Sequence, residues 1–172
     1  MISETMQTAL NEQINAELYS SYLYLSMSAW CRGQGLAGAA HWMRMQAGEE
    51  MVHALKLFDY VHRRGGKVTV NAVEGPPTAW ESVRQVFEHV LTHEQKVTGL
   101  IGGLVRLARQ QHDRDAEEFL QWYVDEQVEE EESAEEVVSK IKAAEQSALQ
   151  AGLLDEELGR RKFVFPPETY GS

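Results

Sequence analysis

The sequence predicts an all-α protein, built as a four-helix bundle with one long crossover between its second and third helices and a short fifth helix at its C-terminal end. Long amphipathic stretches fill the chain, with apolar residues recurring three and four positions apart. The four prolines stand in two pairs, at 76–77 and 166–167, so that no proline interrupts a periodic stretch. We expect one domain over residues 1–172, with the bundle at about 4–144, the fifth helix at about 145–158 and an irregular tail at 159–172.

Glycines and capping residues set the predicted helix boundaries. Glycines follow the first two helices, within residues 33–35 and at 65–66, where they end a helix without strain. Thr78 and Glu81 have the spacing of a capping box, which predicts the start of the third helix, and Asp113 is the predicted N-cap of the fourth. The predicted helices run from about Glu4 to Arg32, Ala37 to Arg64, Thr78 to Gln111, Asp113 to Ala144 and Glu145 to Leu158.

The lengths of the connections predict how the helices are arranged. Short links join the first helix to the second and the third to the fourth, so each of these pairs is expected to be antiparallel. Some 14 residues, 66–79, join the second helix to the third, which is enough to travel the length of a bundle whose helices are about 40–45 Å long. This combination is typical of a bundle with one long crossover.

Composition and charge exclude several classes of protein. The formal net charge of −11 argues against nucleic acid as the main partner. No apolar run approaches the roughly 20 residues that span a bilayer, so a membrane partner is not expected, and the N-terminus lacks the pattern of a signal peptide. The single cysteine, Cys31, excludes a disulfide framework and any metal site built on a cysteine pair, which favours a reducing cytoplasmic location.

Each of the four long helices has a buried seam of apolar residues, and polar residues interrupt each seam near its middle. Four of the interruptions fall about 13 residues into their helices, and helices of equal length packed side by side bring their middles to one height. One layer of the core should therefore contain three carboxylates, an imidazole and an amide, with one further carboxylate a turn away. These residues are Glu17, Glu50, His53, Glu94, Gln127 and Glu130.

A layer of this composition calls for bound cations. Burying an unpaired carboxylate costs several kcal/mol or forces its protonation, and neighbouring carboxylates repel one another. No Lys or Arg falls on these seams near that level, and oxygen donors with one imidazole suit iron, manganese or zinc. We therefore expect a dinuclear metal site in which Glu50 bridges two ions. Tyr24, two turns from Glu17, is equally consistent with core packing and with a role at the site.

The remaining histidines and the cysteine have simpler expectations. Cys31 is expected to be a small buried residue, and the segment 113–145, with 13 acids and 3 bases, is either a solvated face or a cation site. Five histidines lack matching partners and are expected at the surface: His41, His62, His89, His93 and His112.

Three segments, NAELYSSYLYLSM, EEMVHALKLFDYV and FLQWYVDEQVEEE, resemble the non-haem ferritins of bacteria and archaea, and the resemblance covers almost the whole chain. It implies that Glu17, Glu50 and His53 hold one iron, and that Glu50 bridges to a second iron held with Glu94, with Gln127 nearby. It also implies a third iron site, for which a solvated acidic face is the alternative. The residues that match this third site are Glu49, Glu126, Glu129 and Glu130.

The function implied by the resemblance is iron storage combined with ferroxidase activity. Two Fe(II) ions would be oxidised by O2 or peroxide at the dinuclear centre. The ferric product would be stored as a hydrated oxide inside a hollow homo-oligomeric shell, usually of 24 subunits. Cations would enter at three-fold axes near the start of the fourth helix, where Glu117 is the candidate residue.

Two alternatives stay open. Met51 stands where bacterioferritin has its haem-ligating methionine, which leaves open a haem-bearing electron-transfer and storage protein. Di-iron bundles carry a second Glu-x-x-His, however, and here Glu126 and Glu129 replace it, which disfavours bacterioferritin and makes haem unexpected. The other alternative is a helical shell or scaffold that binds no metal.

Overall fold

The computed structural model of the protein describes residues 1–163, so the predicted tail lies mostly outside the described residues. The helices are α1 (Glu4–Gly33), α2 (Ala37–Arg63), α3 (Val83–Gln110), α4 (Arg114–Ala144) and α5 (Ala148–Leu158). α1 packs along α2, α3 packs along α4, α1 contacts α3, and α5 contacts both α2 and α4. The predicted all-α bundle with a short fifth helix is confirmed, and no strand occurs between residues 1 and 163.

The start of the third helix was predicted wrongly, because a long-range contact holds the residues before it. The carbonyl of Pro77 accepts a hydrogen bond of 2.6 Å from Ser26 on α1, and Trp80 packs against Trp30. The chain therefore stays irregular past Thr78, and Ser82 is the N-cap, accepting from the backbone N–H of Gln85. Asp113 caps α4 as predicted, and α5 begins three residues later than predicted, after Ser147.

The crossover between α2 and α3, residues 64–82, follows α1 for most of its length. Near its beginning, Asn11 donates to the carbonyl of Lys67 and accepts from the N–H of Thr69, at 3.0 and 2.9 Å. Near its end it meets Ser26 and Trp30, more than four turns further along α1. The expectation that this connection travels along the bundle is confirmed.

A polar layer divides the apolar core into two clusters. On α1, Met6, Leu10 and Ile14 belong to one cluster, whereas Leu23 and Met27 belong to the other. The remaining long helices show the same order, with an apolar stretch, a polar interruption and a second apolar stretch. The polar residues of all four helices therefore meet at one height, as expected for helices of similar length.

Among residues 1–163, no helix is both long enough and apolar enough to cross a membrane.

Candidate metal centre

The polar layer consists of four buried carboxyls, one imidazole and one amide. All six residues that the sequence placed in this layer are no more than 5% exposed. No Lys or Arg is among the buried residues of the described part of the chain. The six residues are Glu17, Glu50, His53, Glu94, Gln127 and Glu130.

Glu50 lies between two groups of side chains that have the composition of metal-ligand sets. One group joins it to Glu17 and His53, and the other joins it to Glu94 and Glu130. In each group the potential ligand atoms lie within 4.8 Å of one another. The Nδ1 atom of His53 lies 3.3 Å from Oε2 of Glu50. Because both groups share Glu50, the geometry suits two adjacent cations with one bridging carboxylate.

Burial shifts the pKa of every carboxyl in the layer upward. The pKa values of Glu17, Glu94 and Glu130 rise to about 8, mainly through loss of hydration and then through the charge of a neighbouring carboxylate. The pKa of Glu50 is raised well above its usual value by loss of hydration and then by Glu130. The protein without a cation therefore holds protons in this layer near neutral pH.

Two buried glutamines that were not predicted from the sequence orient these carboxylates. Gln13 donates to Oε1 of Glu17 at 2.9 Å, one turn along α1. Gln46 donates to Oε1 of Glu50 at 3.1 Å and also to Oε2 of Glu130 at 2.6 Å. Both glutamines precede a seam glutamate by four residues, which is a spacing that could have identified them from the sequence.

Gln127 acts as a donor to Glu94 in this structure. Its Nε2 atom lies 3.1 Å from the carbonyl oxygen of Glu94, 3.3 Å from Oε2 of the same residue and 3.2 Å from the hydroxyl of Thr98. Gln127, on α4, therefore uses its amide N–H groups to orient the carboxylate of Glu94, on α3.

Tyr24 also contacts Glu94, and its ring packs against His93, which was predicted to be exposed. The Tyr24 hydroxyl donates to Oε1 of Glu94. The ring of Tyr24 meets His93 edge-on, with 5.9 Å between ring centroids. His93 is buried, and its Nε2 atom is hydrogen-bonded to the hydroxyl of Ser20 at 2.8 Å. Loss of hydration lowers the pKa of His93 to about 4, so the ring is neutral near pH 7.

The surface prediction was therefore wrong for His93. Val86 lies two turns before it and Val97 one turn after it, so His93 belongs to the buried stripe of α3. The apolar stripe of α3 is wider than the seam through Glu94 suggested. His62 and His112 are exposed as predicted, and His41 and His89 are half-buried.

The acids predicted to form a third site are only partly brought together. Glu126 and Glu130 form a group with His53, whose Nε2 atom lies 3.9 Å from Oε1 of Glu126. Glu49 is paired with an arginine instead, and Glu129 is exposed. The pKa of Glu126 is raised mainly by loss of hydration, and the charges of Glu49 and Glu129 add to this rise.

Comparison with known proteins identifies the family. A family model described as "Ferritin-like domain" matches residues 7–144, which include every residue of the candidate centre. The chain belongs to the ferritin family.

Similar ferritins come from bacteria and archaea. The chain is 45% identical to a bacterial non-heme ferritin of Bacteroides fragilis, over 94% of this chain and all of that one. It is 40% identical to a bacterial non-heme ferritin of Escherichia coli, over 92% of this chain and 96% of that one. Among solved structures, an open-pore ferritin from the archaeon Archaeoglobus fulgidus is 50% identical with a TM-score of 0.93, over 94% of this chain and all of that one.

The centre of this ferritin has the chemistry of a cation site. Oε2 of Glu17 is buried and has no hydrogen-bond partner among the described residues, although Gln13 satisfies the other oxygen of the same carboxylate. A buried acceptor without a donor is unfavourable unless a proton or a cation satisfies it. Carboxylate oxygens with one imidazole fit iron by donor type.

Proposed function

We propose that this ferritin stores iron and oxidises Fe(II) at a dinuclear centre within the bundle of each subunit. Two Fe(II) ions would bind as substrates, and each would lose one electron. The two electrons, together with two protons from the solvent, reduce one oxidant molecule, either O2 to one hydrogen peroxide or one hydrogen peroxide to two waters. Membership of the ferritin family supports iron storage, and the composition of the buried layer supports oxidation at this place.

Each residue of the layer has a distinct proposed role. Glu17 and His53 hold the first iron, Glu94 holds the second and Glu50 bridges the two. Gln127 and Tyr24 donate hydrogen bonds to Glu94, which keeps this carboxylate oriented while iron binds and leaves. Glu130 faces both the dinuclear pair and Glu126, so we assign it to the side from which a third iron would exchange.

The observation that carries this proposal is the position of Glu50 in two ligand groups at once. Four carboxylates with no buried Lys or Arg among the described residues would repel one another if they were ionised, and burial makes that repulsion costly. Two cations that share Glu50 neutralise the layer and satisfy the free oxygen of Glu17. A scaffold that binds no metal would gain nothing from this arrangement, which costs stability in the metal-free protein.

The test is the initial rate of Fe(II) oxidation in air, followed by the rise of ferric absorbance. Glu50→Gln keeps the shape of the side chain but removes the bridging charge, and we expect the rate to fall by at least about tenfold. Glu132→Gln is the matched control, because Glu132 is an exposed acid on α4 outside the centre, and its rate should equal the parent rate. An unchanged rate in Glu50→Gln would show that oxidation occurs elsewhere.

We further propose that the subunits assemble into a hollow shell, of about 24 copies as the family resemblance implies, with ferric oxide inside. Electron microscopy and light scattering of the iron-loaded protein should show a hollow particle with a dense core. Iron analysis of the isolated particle should give far more than three iron atoms per subunit. Small particles with only trace iron would favour a scaffold over a store.

A further inference from the structure

The segment that follows α5 places an arginine at the edge of the metal centre. Nη2 of Arg161 lies 2.7 Å from Oε2 of Glu49, and both side chains are about four-fifths buried. The guanidinium of Arg161 also lies over the ring of Trp42, 4.2 Å from its centroid. Nη1 of Arg161 is buried and has no hydrogen-bond partner among the described residues. The arginine is therefore held in place with part of its donor capacity unused.

Arg161 is fixed because α5 is anchored to the N-terminus of α2. Asp155 accepts hydrogen bonds from the backbone N–H groups of Gly38 and Ala39, at 2.9 and 2.8 Å. Asp155 thereby caps the N-terminus of α2, because the N-cap residue Leu36 has no side-chain acceptor of its own. The carbonyl of Arg161 lies 2.8 Å from Nε2 of His41. The segment is thus bound along one face of α2, and this face leads to Glu49.

The charge of Arg161 acts on the acids predicted to form the third site. Among the described residues, the ion pair between Arg161 and Glu49 is the one pair that connects an arginine or lysine to the acids of the predicted third site. We name Glu49, Glu126, Glu129 and Glu130 the outer group.

We propose that Arg161 is an internal counter-ion of Glu49, and that a cation entering the outer group displaces its guanidinium. The inference rests on the proposed function, because it concerns how iron leaves or reaches the dinuclear centre. Glu49 Oε2 holds a guanidinium donor in the structure, so it must release that donor before it can bind a metal ion at full strength. The positive charge of Arg161 also repels an arriving cation and so weakens its binding.

The consequence is a difference in affinity between the two places. We call the residues proposed to hold the two irons the inner centre: Glu17, Glu50, His53 and Glu94. Among the described residues no arginine or lysine forms an ion pair with the inner centre, whereas Arg161 is paired with Glu49 of the outer group. Iron would therefore bind more weakly at the outer group than at the inner pair. A weak outer site suits passage, because an ion that binds there can leave again. Arg161 is on this view a positioning residue that sets how long a third ion stays.

The experiment measures binding of Zn²⁺ to the assembled, metal-free protein by calorimetry, since Zn²⁺ is not oxidised. Arg161→Gln removes the charge and keeps a polar side chain. We expect three Zn²⁺ ions per subunit, two at the inner centre and a more weakly bound one at the outer group. Arg161→Gln should tighten binding of the weakest of the three by roughly three- to tenfold and leave the affinities of the other two unchanged. Arg160→Gln is the matched control, because Arg160 is the exposed neighbour with the same charge, and its binding curve should equal that of the parent.

A second variant separates the proposed role from a merely structural one. If Arg161 acts through Glu49, then Arg161→Gln should have no effect on Zn²⁺ binding in a Glu49→Gln background. Equal tightening in both backgrounds would overturn the inference, and so would an unchanged curve in Arg161→Gln protein. Melting temperature and particle size confirm that each variant is folded and assembled.

The outcomes also separate this inference from the proposed function. If Glu49→Gln binds Zn²⁺ as the parent does, the outer group is not a site and the inference is overturned. Fast Fe(II) oxidation that depends on Glu50 would nevertheless stand. Conversely, oxidation that does not depend on Glu50 would overturn the proposed function, whatever the calorimetry shows.

Discussion

Tyr24 on α1 donates its phenolic hydrogen to Glu94 on α3, so that a hydrogen bond crosses the bundle inside the layer of buried acids. Loss of hydration raises the pKa of Tyr24 well above its usual value, which keeps the phenol protonated and able to donate. Gln127 donates to the other oxygen of the same carboxylate, at 3.3 Å. Glu94 is thus oriented from α1 and α4 while its own helix contributes neither donor.

Removal of the Tyr24 hydroxyl should slow iron oxidation without abolishing it. Tyr24→Phe leaves the Glu94 carboxylate with one orienting donor, and loss of one hydrogen bond to a carboxylate corresponds to a rate lower by roughly tenfold or more. The measurement is the initial rise of ferric absorbance. Tyr123→Phe is the control, because this buried hydroxyl donates to the backbone carbonyl of His53 and to no ligand carboxylate. Equal slowing in both variants would point to a general loss of packing.

The metal-free protein should become less stable as the pH rises. The pKa of Glu17, Glu94 and Glu130 is about 8 in the folded chain, mainly through loss of hydration, against 4.5 as the ordinary value. Because the folded value is the higher one, the contribution of these carboxyls to stability is complete below pH 4.5 and is lost as the pH rises through about 8. We expect the melting temperature to fall by about 5 °C or more between pH 6 and pH 9.

Bound cations should reverse that loss. Zn²⁺ binds the ionised form of the carboxylates, so it should raise the melting temperature more at pH 8.5 than at pH 6. Glu50→Gln provides the comparison, since it removes the residue that both ligand groups share. If Zn²⁺ stabilised Glu50→Gln as strongly as the parent, the stabilising site would lie outside the layer.

The contact between α5 and α2 depends on a glycine. A Cβ atom added to Gly38 would lie 1.6 Å from the carbonyl oxygen of Asp155, and backbone there has little room to yield. We expect Gly38→Ala to detach α5 and to lower stability by about 2 kcal/mol, or roughly 4–8 °C in melting temperature. Gly152→Ala, inside α5 with no atom near the added Cβ, should be neutral or slightly stabilising. A melting temperature of Gly38→Ala equal to the parent value would contradict this expectation.

Cys31 should resist alkylation in the folded protein. Its side chain is fully buried, and burial followed by the charge of Asp155 raises the pKa of the thiol to about 12. Since only the thiolate reacts, iodoacetamide at pH 8 should leave the folded chain unlabelled over hours and label the denatured chain within minutes. Mass spectrometry of both samples checks the prediction. Rapid labelling of the folded protein would mean that the end of α1 opens readily.

The residues of the inner centre were predictable because helical periodicity assigns each residue to a face. Glu17, Glu50 and Glu94 stand on apolar seams, and their similar depth in helices of similar length is enough to predict that they lie at one height. Their burial and proximity are confirmed, whereas their roles as iron ligands stay a prediction. Gln13 and Gln46 could have been found by the same periodicity, one turn before two of these glutamates.

The sequence by itself determined the all-α architecture, the crossover along the bundle and the polar layer, because these follow from the helical repeat, the length of the segments and the cost of burying charge. Only the tertiary structure decided which side chains meet across helices: Ser20 with His93, Ser26 with Pro77, Asp155 with the start of α2, and Arg161 with Glu49. Each of these contacts joins residues far apart in the chain. Their geometry depends on how the helices are rotated and shifted against one another, and that is set by the packing of the whole core rather than by any local pattern.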